Sequence, residues 1–546
     1  MLLLLGGCGH SPSSTSNSNS NSIVGCGGTI GAGTNSAPAS SIDVVTYHYD
    51  NLRTGQNTKE TMLTPANVNS TRFGRLGEFT VIGKVDAQPL YLSNVSIPGV
   101  GIRNVLYAAT EHGCVYAFDA DSISGNTGKA LWITSTSMSG EIPSDDRGCG
   151  QVTPEIGVTS TPIIDRRRNA IYVVAVSKTA GGNYIHRMHA LDLTTGAELF
   201  AGPTLITASY PGSGAGSSGG NVAFDPSEYN QRPGLLELDG TIYTTWGSHC
   251  DQGAYTSWVM AFSADTLKQT GLLNLTPNGN DGGIWMSGAS PAADQAGNIY
   301  FILGNGTFDT ALTPSGFPSR GDCGNCFAKI SSSFPLTLLD YFTPSNTVAQ
   351  SSQDLDFGSG GPLLLPDLID GTGTTRHLAV GSGKDSKIYV LDRDNMGKFN
   401  AGGDAVYQEI PGALASNSEF GKPSYFNNIV YYGAVNDALK AFPMTSARLA
   451  AIPSSQSSRQ FPYPGTTPAI SANGTANGIV WAVENGGTAV LHAYDATNLG
   501  RELYSSGQAA NGRDQFAGNK FITPMIANGR VYVGTPASVA VFGLLP

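Results

Sequence analysis

One pattern recurs eight times along this chain and restricts what it can fold into. A proline stands just before or within an apolar segment, a turn follows, and an aromatic-rich segment then ends in small residues. A third segment often closes on Ala-Phe-Asp or a close variant, as in Val115-Tyr-Ala-Phe-Asp119. The prolines that open the eight units are Pro89, Pro162, Pro233, Pro291, Pro362, Pro423, Pro468 and Pro524.

The length and content of this repeat are typical of a β-propeller with four strands in each blade. A single four-stranded sheet cannot bury both faces, so each unit needs its neighbours. We therefore predict an all-β fold, an eight-bladed propeller of four-stranded antiparallel blades, with seven blades as the alternative count. An array of β-sandwiches also has alternating strands, but it does not explain one repeated strand order without segments that switch sheets.

The ends of the chain suggest how the ring closes. The last unit ends at Phe542 without an evident fourth strand, and the segment 78–84, before the first proline, can supply it. Pairing of 78–84 beside 531–542 would remove the exposed sheet edges. The predicted organisation is a truncated signal over 1–8, a tether over 9–42, an N-terminal arm over 43–77 and one propeller over 78–546.

Composition excludes several classes of function. Seventy glycines, 22 tyrosines, 21 phenylalanines and only 13% charged residues favour short strands joined by tight turns. A net charge of −11 argues against a sequence-independent grip on nucleic acid, which requires a basic face. No apolar run is long enough to cross a membrane as a helix.

The first residues indicate export. Met1-Leu-Leu-Leu-Leu-Gly-Gly-Cys8 resembles the end of a bacterial lipoprotein signal that lacks its basic start, although a chance leucine run is the alternative. Residues 9–42 are rich in Ser, Asn, Gly and Thr, which predicts a disordered tether. We expect a periplasmic or cell-surface protein that touches the membrane only through a lipid anchor at Cys8.

Six further cysteines fit an exported protein. Cys323-Gly-Asn-Cys326 has the spacing of half a zinc site, but no second Cys or His pair accompanies it. In an oxidising compartment a local disulfide is the better interpretation.

Three segments of the repeat resemble the pyrroloquinoline quinone (PQQ) propeller family. They are Val115-Tyr-Ala-Phe-Asp-Ala120, Asn126-Thr-Gly-Lys-Ala-Leu-Trp132 and His189-Ala-Leu-Asp-Leu-Thr-Thr-Gly196. Quinoprotein alcohol dehydrogenases share this signature with non-catalytic scaffold lipoproteins, so it implies the fold and leaves the function open. Further segments over about residues 47–400 resemble the dehydrogenases more specifically.

The dehydrogenase resemblance implies roles for individual residues. Gly282-Gly-Ile-Trp285 is similar to the segment whose indole covers one face of the quinone. Leu303-Gly-Asn-Gly306 is similar to the corner whose asparagine binds the metal, which implies that role for Asn305. Asp354-Leu-Asp-Phe357 resembles the motif whose last aspartate is the catalytic base, here Asp356. Lys384 begins a strand similar to one whose basic residue contacts the quinone.

Other positions depart from the family pattern. Where the dehydrogenases have a metal-binding glutamate, this chain has the shorter Asp251, in Gly247-Ser-His-Cys-Asp-Gln-Gly253. The pair of adjacent cysteines that covers the second quinone face is missing, and only Cys149 stands near that place. His249 and Cys250 are an alternative pair of ligands for a transition metal.

The residue types are chemically suited to these roles. Asp251 and Asn305 supply the oxygen ligands that Ca²⁺ prefers, although both residues are also common in turns. Asp354 and Asp356 would lie on one side of an extended chain, where the first can bind a metal and the second can take a proton. A solvated loop is the alternative for this pair, and a blade-packing side chain is the alternative for Trp285.

We expect a quinoprotein dehydrogenase-like propeller that uses PQQ and Ca²⁺ to oxidise an alcohol or a sugar. No haem-binding Cys-x-x-Cys-His motif occurs, so a separate electron acceptor is implied. The alternative is a non-catalytic propeller that binds a protein or glycan through its loops, such as the Ser/Gly-rich segment 211–227. The two functions differ in whether the named residues converge on one cavity.

Overall fold

The structure, a computed structural model, describes residues 25–31, 33, 40–123, 127–415 and 419–546. Within these ranges eight mainly four-stranded antiparallel sheets follow one another along the chain, which confirms the predicted eight-bladed β-propeller. Helical structure in the described part is limited to one α-helix, Thr347–Ser352, and four 3₁₀ turns. These turns are Met286–Gly288, Phe357–Ser359, Ser506–Gln508 and Ala510–Gly512.

The first four blades are built as follows. Blade 1 contains Leu90–Ile97, Gly101–Ala109, Cys114–Asp119 and Ala130–Ser135. Blade 2 contains Ile163–Asp165, Ala170–Thr179, Tyr184–Asp192 and Thr204–Leu205, with Glu141–Pro143 added beside the second strand. Blade 3 contains Leu236–Leu238, Thr241–Thr245, Trp258–Ser263 and Gln269–Asn274. Blade 4 contains Ala292–Ala293, Ile299–Ile302, Phe327–Ile330 and Leu338–Phe342.

The remaining blades follow the same order. Blade 5 contains Leu363–Leu364, Leu378–Ser382, Ile388–Asp392 and Gln408–Ile410. Blade 6 contains Ser424–Phe426, Ile429–Tyr432, Asp437–Thr445 and Ser455–Phe461, with Arg448–Leu449 as a short extra strand. Blade 7 contains Ala469–Asn473, Ala476–Glu484, Thr488–Asp495 and Asn498–Ser505, with Phe516–Ala517 added. Blade 8 contains Met525–Ala527, Arg530–Gly534, Ser538–Leu544 and Phe73–Thr80.

Three short two-stranded sheets lie in the loops that connect the blade strands. They are Ser209–Pro211 with Asn221–Ala223, Tyr229–Asn230 with Gly247–Ser248, and Leu368–Ile369 with Thr375–Arg376.

The repeated prolines mark where each blade begins. Seven of the eight immediately precede the first strand of a blade, and Pro233 stands three residues before Leu236. Proline has no N–H to give to a ladder, so it is tolerated at the start of an edge strand. The sequence pattern therefore located all eight first strands.

The ring closes through the early strand, as predicted, but with different bounds. Phe73–Thr80 pairs antiparallel with Ser538–Leu544, from Phe73 opposite Leu544 to Thr80 opposite Ser538. The strand predicted over 78–84 thus begins at Phe73 and ends at Thr80. The later bounds were predicted from a local apolar run. Phe73 belongs to the strand because it is buried in the core between blades 7 and 8, a contact that the local sequence does not indicate.

The hydrophobic core lies between neighbouring blades. Trp132 of blade 1 packs against blade 2 and donates its indole N–H to the Leu193 carbonyl at 3.0 Å. Gly196, with φ of +72°, turns beneath this ring, and a Cβ there would lie 2.5 Å from it. The glycine of the repeated Thr-Gly turn therefore makes room for the neighbouring blade's aromatic ring.

The N-terminal arm fills the middle of the ring. Residues 44–57, called the plug below, contact the first strand of every blade. Six blades are reached by main-chain hydrogen bonds of 2.7–3.0 Å, through Tyr91, Ile164, Ala293, Leu364, Tyr425 and Ile470. Tyr49 Oη accepts from the Ile526 N–H of blade 8, and Asn51 Nδ2 donates to the Glu237 carbonyl of blade 3. The plug thus satisfies polar groups at the free edges of the first strands.

The described part of the predicted tether is attached to blade 1. A disulfide joins Cys26 to Cys114, and the Gly31 N–H donates to the Ala130 carbonyl at 2.9 Å. Residues 25–31 of the predicted tether are therefore joined to blade 1, and the sequence did not indicate a partner for Cys26. Cys8 and residues 9–24 lie outside the described residues. Among the described residues no helix is long and apolar enough to cross the bilayer.

Candidate functional site

A cavity of about 300 Å³ opens where the chain leads into the first strands of blades 2 to 8. Six of the seven site residues predicted from the sequence line it: Cys149, Asp251, Trp285, Asp354, Asp356 and Lys384. The seventh, Asn305, lies beside it and hydrogen-bonds Asp354 and Asp356. Residues from blades 3, 4 and 5 that are far apart in sequence therefore converge.

Asp356 is the buried carboxylate of the cavity, and only 4% of its surface is exposed. Its Oδ1 accepts the Asn305 N–H at 2.6 Å, and its Oδ2 lies 2.8 Å from Lys384 Nζ. Burial raises the pKa of Asp356, while the Lys384 charge and the Asn305 N–H oppose the rise. The negative charge of Asp251 adds to the rise. Asp356 is thus a carboxylate that binds a proton more readily than usual.

Lys384 bridges the two aspartates predicted as ligand and base. Its Nζ lies 2.7 Å from Asp354 Oδ1 and 2.8 Å from Asp356 Oδ2. Burial lowers the pKa of Lys384, but the carboxylates outweigh burial and the net shift is upward. Its N–H also donates to the Asp356 carbonyl at 2.8 Å, so main chain and side chain hold the two residues together.

The two aspartates do not share one side of an extended strand. Asp354 follows the helix Thr347–Ser352 in a left-handed turn with φ of +56°, and its side chain is 74% exposed. Asp356 lies inside, at the start of the 3₁₀ turn Phe357–Ser359. The prediction of an extended chain is therefore wrong at this turn, although both carboxylates still reach Lys384.

Asn305 carries an acceptor that the fold leaves unused. Its Nδ2 donates to Asp354 Oδ1 at 2.9 Å, whereas its buried Oδ1 has no hydrogen-bond partner among the described residues. A buried carbonyl oxygen without a donor is costly, and a cation would satisfy it. Within the described ranges no group of three or more His, Cys, Asp and Glu side chains is placed to hold a metal ion. An ion here would therefore need the Asn305 amide oxygen.

Trp285 is the one tryptophan that is not buried. Trp132, Trp246, Trp258 and Trp481 are 0–6% exposed, whereas Trp285 is half-buried and lines the cavity. Two glycines flank it: a Cβ on Gly247 would lie 2.9 Å from Trp285 Cβ, and one on Gly304 would lie 3.1 Å from Nε1. Its indole is thus held in a slot without serving the core.

Asp251 is held by hydrogen bonds and by a neighbouring disulfide. Its Oδ1 accepts from Ser248 Oγ at 2.8 Å and from Tyr255 Oη at 2.5 Å. Cys250, next to it, is bonded to Cys149, which ties the loop before blade 2 to a loop of blade 3. Cys250 is therefore not a free thiolate for a transition metal. The disulfide is part of the cavity wall.

The sequence interpretation missed the aromatic side of the cavity. Phe420 lies 5.4 Å from Tyr463 and 6.1 Å from Trp285, measured between ring centroids. Phe521 completes the cluster, and the Arg232 guanidinium lies 4.9 Å above its ring. Phe420 and Phe521 each stand three residues before the proline that begins their blade, and Tyr463 stands five before Pro468. That recurring position is the signal that could have identified them.

Comparison with solved structures supports the fold. A quinohemoprotein alcohol dehydrogenase from Pseudomonas putida superimposes over 92% of this chain and 80% of its own, with a TM-score of 0.59 and 13% identity. A quinohemoprotein alcohol dehydrogenase from Comamonas testosteroni superimposes over 92% of this chain and 81% of its own, with a TM-score of 0.57 and 15% identity. A europium-containing methanol dehydrogenase superimposes over 92% of this chain and 98% of its own, with a TM-score of 0.56 and 11% identity. No protein-family model and no curated protein matches the sequence.

Proposed function

We propose that the cavity binds a PQQ-type quinone with a cation and that the protein oxidises an alcohol or a sugar there. The observation that carries the proposal is the convergence of Trp285, Asn305, Asp356 and Lys384 on one cavity of about 300 Å³. A volume of this order is typical of cofactor and ligand sites. The likeness to quinoprotein dehydrogenases, at low identity, supports the architecture.

The residues fit the cation in type. Asp356, Asp354 and Asp251 supply carboxylate oxygens, and Asn305 supplies the unpartnered amide oxygen. Hard oxygen donors suit Ca²⁺. A trivalent lanthanide is also a hard cation, and one structure of similar fold contains europium. We propose that Asp251, Asp354 and the Asn305 amide oxygen hold the ion, that Asp356 stays free to act as the base, and that Trp285 lies against the quinone ring system.

Each residue has a defined part in the reaction. The bound quinone supplies an acceptor for the two electrons that leave an alcohol carbon. Asp356 takes the hydroxyl proton, and its raised pKa makes it a stronger base than an exposed aspartate. Lys384 keeps Asp356 ionised and fixes its position through the 2.8 Å contact. The aromatic cluster and the Cys149–Cys250 disulfide restrict the entry of water into the cavity.

We further propose export and a separate electron acceptor. All six cysteines after Cys8 form disulfides: Cys26–Cys114, Cys149–Cys250 and Cys323–Cys326. Such pairing is characteristic of proteins in an oxidising compartment. Export to the periplasm or cell surface with lipid at Cys8 is consistent with this. A Cys8→Ser variant should then fractionate away from membranes, and equal partitioning of both forms would contradict the anchor.

The proposal is tested by reconstitution. The full chain is incubated with PQQ and either CaCl₂ or EuCl₃, and turnover of primary alcohols and sugars is followed with an artificial electron acceptor. Asp356→Asn keeps the shape of the site and removes the base, so turnover should fall by about 10²–10⁴ while PQQ still binds. Asp367→Asn, an exposed position on the same blade, is the matched control and should retain activity.

Two results would contradict the proposal. If the wild-type chain fails to bind PQQ both with CaCl₂ and with EuCl₃, the cavity is not a quinone site. The protein would then be better described as a propeller scaffold that binds a protein or glycan. If Asp356→Asn turns over as fast as wild type, Asp356 is not the base.

A further inference from the structure

The Cys323-Gly-Asn-Cys326 loop lies buried against the two segments that carry Asn305 and Asp356. Cys323 and Cys326 are joined by a disulfide, and they and Asn325 are 0% exposed. The disulfide excludes these sulfurs as zinc ligands in this state. Burial also separates them from solvent, so the loop has no access to a ligand of its own.

Main-chain hydrogen bonds attach this loop to the corner that presents Asn305. The Asn325 N–H donates to the Gly304 carbonyl at 2.9 Å, and the Gly324 N–H donates to the Thr307 carbonyl at 2.8 Å. The contact is so close that a Cβ on Gly324 would lie 2.4 Å from the Gly306 carbonyl carbon. Only glycine fits there, and the corner on both sides of Asn305 is fixed.

The Asn325 side chain reaches the other segment. Its Oδ1 accepts the N–H of Phe357, the residue after Asp356, at 2.7 Å. Its Nδ2 donates to Gln350 Oε1 at 3.0 Å and to Thr347 Oγ1 at 3.2 Å, both on the helix that precedes Asp354. One residue therefore binds the Asn305 corner with its main chain and the Asp356 turn with its side chain.

We propose that Asn325 is a positioning residue of the site, which sets Asp356 against Asn305. The effect of Asn325 on the geometry of the cation site rests on the proposed function, whereas the positioning itself is a property of the fold. The contact it controls is the 2.6 Å hydrogen bond from the Asn305 N–H to Asp356 Oδ1. Asn325 has φ of +59°, a left-handed conformation that asparagine tolerates, and the disulfide closes the loop around it.

Three variants separate positioning from plain stability. Asn325→Gly removes the side chain without backbone strain, because glycine accepts positive φ. Asn325→Asp keeps the acceptor for the Phe357 N–H and loses the amide donors. Thr347→Val is the matched control: it removes a buried partner of Asn325 Nδ2 and leaves the acceptor side intact.

Two readouts need neither PQQ nor turnover. The first is amide hydrogen exchange at Asn305 and Phe357 in the full-length protein. The second is the affinity for Tb³⁺, followed by its luminescence excited through tryptophan. Asn325→Gly should exchange at least tenfold faster at both amides and bind Tb³⁺ at least tenfold more weakly. Asn325→Asp and Thr347→Val should stay within about twofold of wild type in both, whatever their melting temperatures.

The outcomes decide the inference. Wild-type exchange at Asn305 in Asn325→Gly, or equal loss of protection in Thr347→Val, would overturn it and leave Asn325 a structural residue. Failure of Asn325→Asp to restore protection would also overturn it. If wild type does not bind Tb³⁺, the cation part of the proposed function fails, while the exchange results still decide the positioning.

Discussion

The plug and the cavity both lie in the channel of the propeller, and their buried basic side chains have different kinds of hydrogen-bond partner. In the plug, Arg53 donates to the carbonyls of Pro291 and Tyr47 at 2.8 and 2.9 Å, and Lys422, which precedes blade 6, donates to the Arg53 carbonyl. In the cavity, Lys384 instead pairs with the carboxylates of Asp354 and Asp356. Both regions bury a positive charge, but only the cavity places carboxylates where a ligand can reach them.

The electrostatics of the two regions follow from these partners. Burial lowers the pKa of Arg53 to about 10 and lowers that of Lys422 well below its usual value. The pKa of Lys384 is raised, because its carboxylate partners outweigh burial. The side chains of Arg53 and Lys422 thus bind main-chain carbonyls, which stabilises the closed ring. Lys384 instead holds Asp356, the residue that we propose as the base, in place.

The largest expected effect is on the plug. Arg53→Ala removes a fully buried guanidinium that binds several main-chain carbonyls, so the free energy of unfolding should fall by about 3–5 kcal/mol. Urea unfolding followed by circular dichroism measures it. Lys59→Ala, at an exposed arm position, should change it by less than about 0.5 kcal/mol. Equal stability of the two variants would show that the plug does not hold the ring.

A second effect concerns Glu419, the residue before Phe420 of the cavity wall. Burial raises its pKa from the usual 4.5 to about 8, and its Oε2 has no partner among the described residues. The folded protein binds this proton more tightly than the unfolded chain. Stability should therefore fall as the pH rises from about 4.5 to 8, by up to about 1.4 kcal/mol per pH unit.

Glu419→Gln should remove this part of the pH dependence. Urea unfolding at pH 5, 6.5 and 8 measures the slope, and Asp367→Asn should keep the wild-type slope. A variant that keeps the full wild-type slope would place the responsible group elsewhere.

A smaller effect separates Lys384 from the plug cations. Lys384→Met removes the charge that lowers the pKa of Asp356, so that pKa should rise further. The proposed reaction requires ionised Asp356, so the acid limb of the kcat/KM profile should move up by about one pH unit or more. Lys387→Met, whose native partners are Asp404 and Glu409, is the control. An unmoved limb in Lys384→Met would contradict the assignment of the base.

The sequence predicted the parts of the molecule that repeat. Eight prolines and the apolar runs after them located the first strands, and the missing last strand indicated the closure. The plug was not predicted, since it reaches six of the eight blades through main-chain hydrogen bonds, which leave no side-chain pattern. The apolar and aromatic periodicity that identifies strands says nothing about such an arm.

The site was predicted in part, for a similar reason. Trp285, Asn305 and Asp356 stand in short motifs whose positions in successive blades place them together. The Cys149–Cys250 disulfide spans a separation of 101 residues, and no local signal pairs them. The turn that exposes Asp354 depends on the end of a short helix that the sequence did not indicate. Contacts between distant loops are set by the closed ring.

The most direct test of the central claim is the affinity of the protein for PQQ in the presence of Ca²⁺, measured by equilibrium dialysis with wild type and Trp285→Ala. If the half-buried indole lies against the quinone, its loss should weaken binding by about 1–3 kcal/mol, roughly 5- to 150-fold in Kd. The same protein should unfold at nearly the wild-type temperature, because Trp285 is not part of the core. Equal affinity of the two proteins for PQQ would contradict the account.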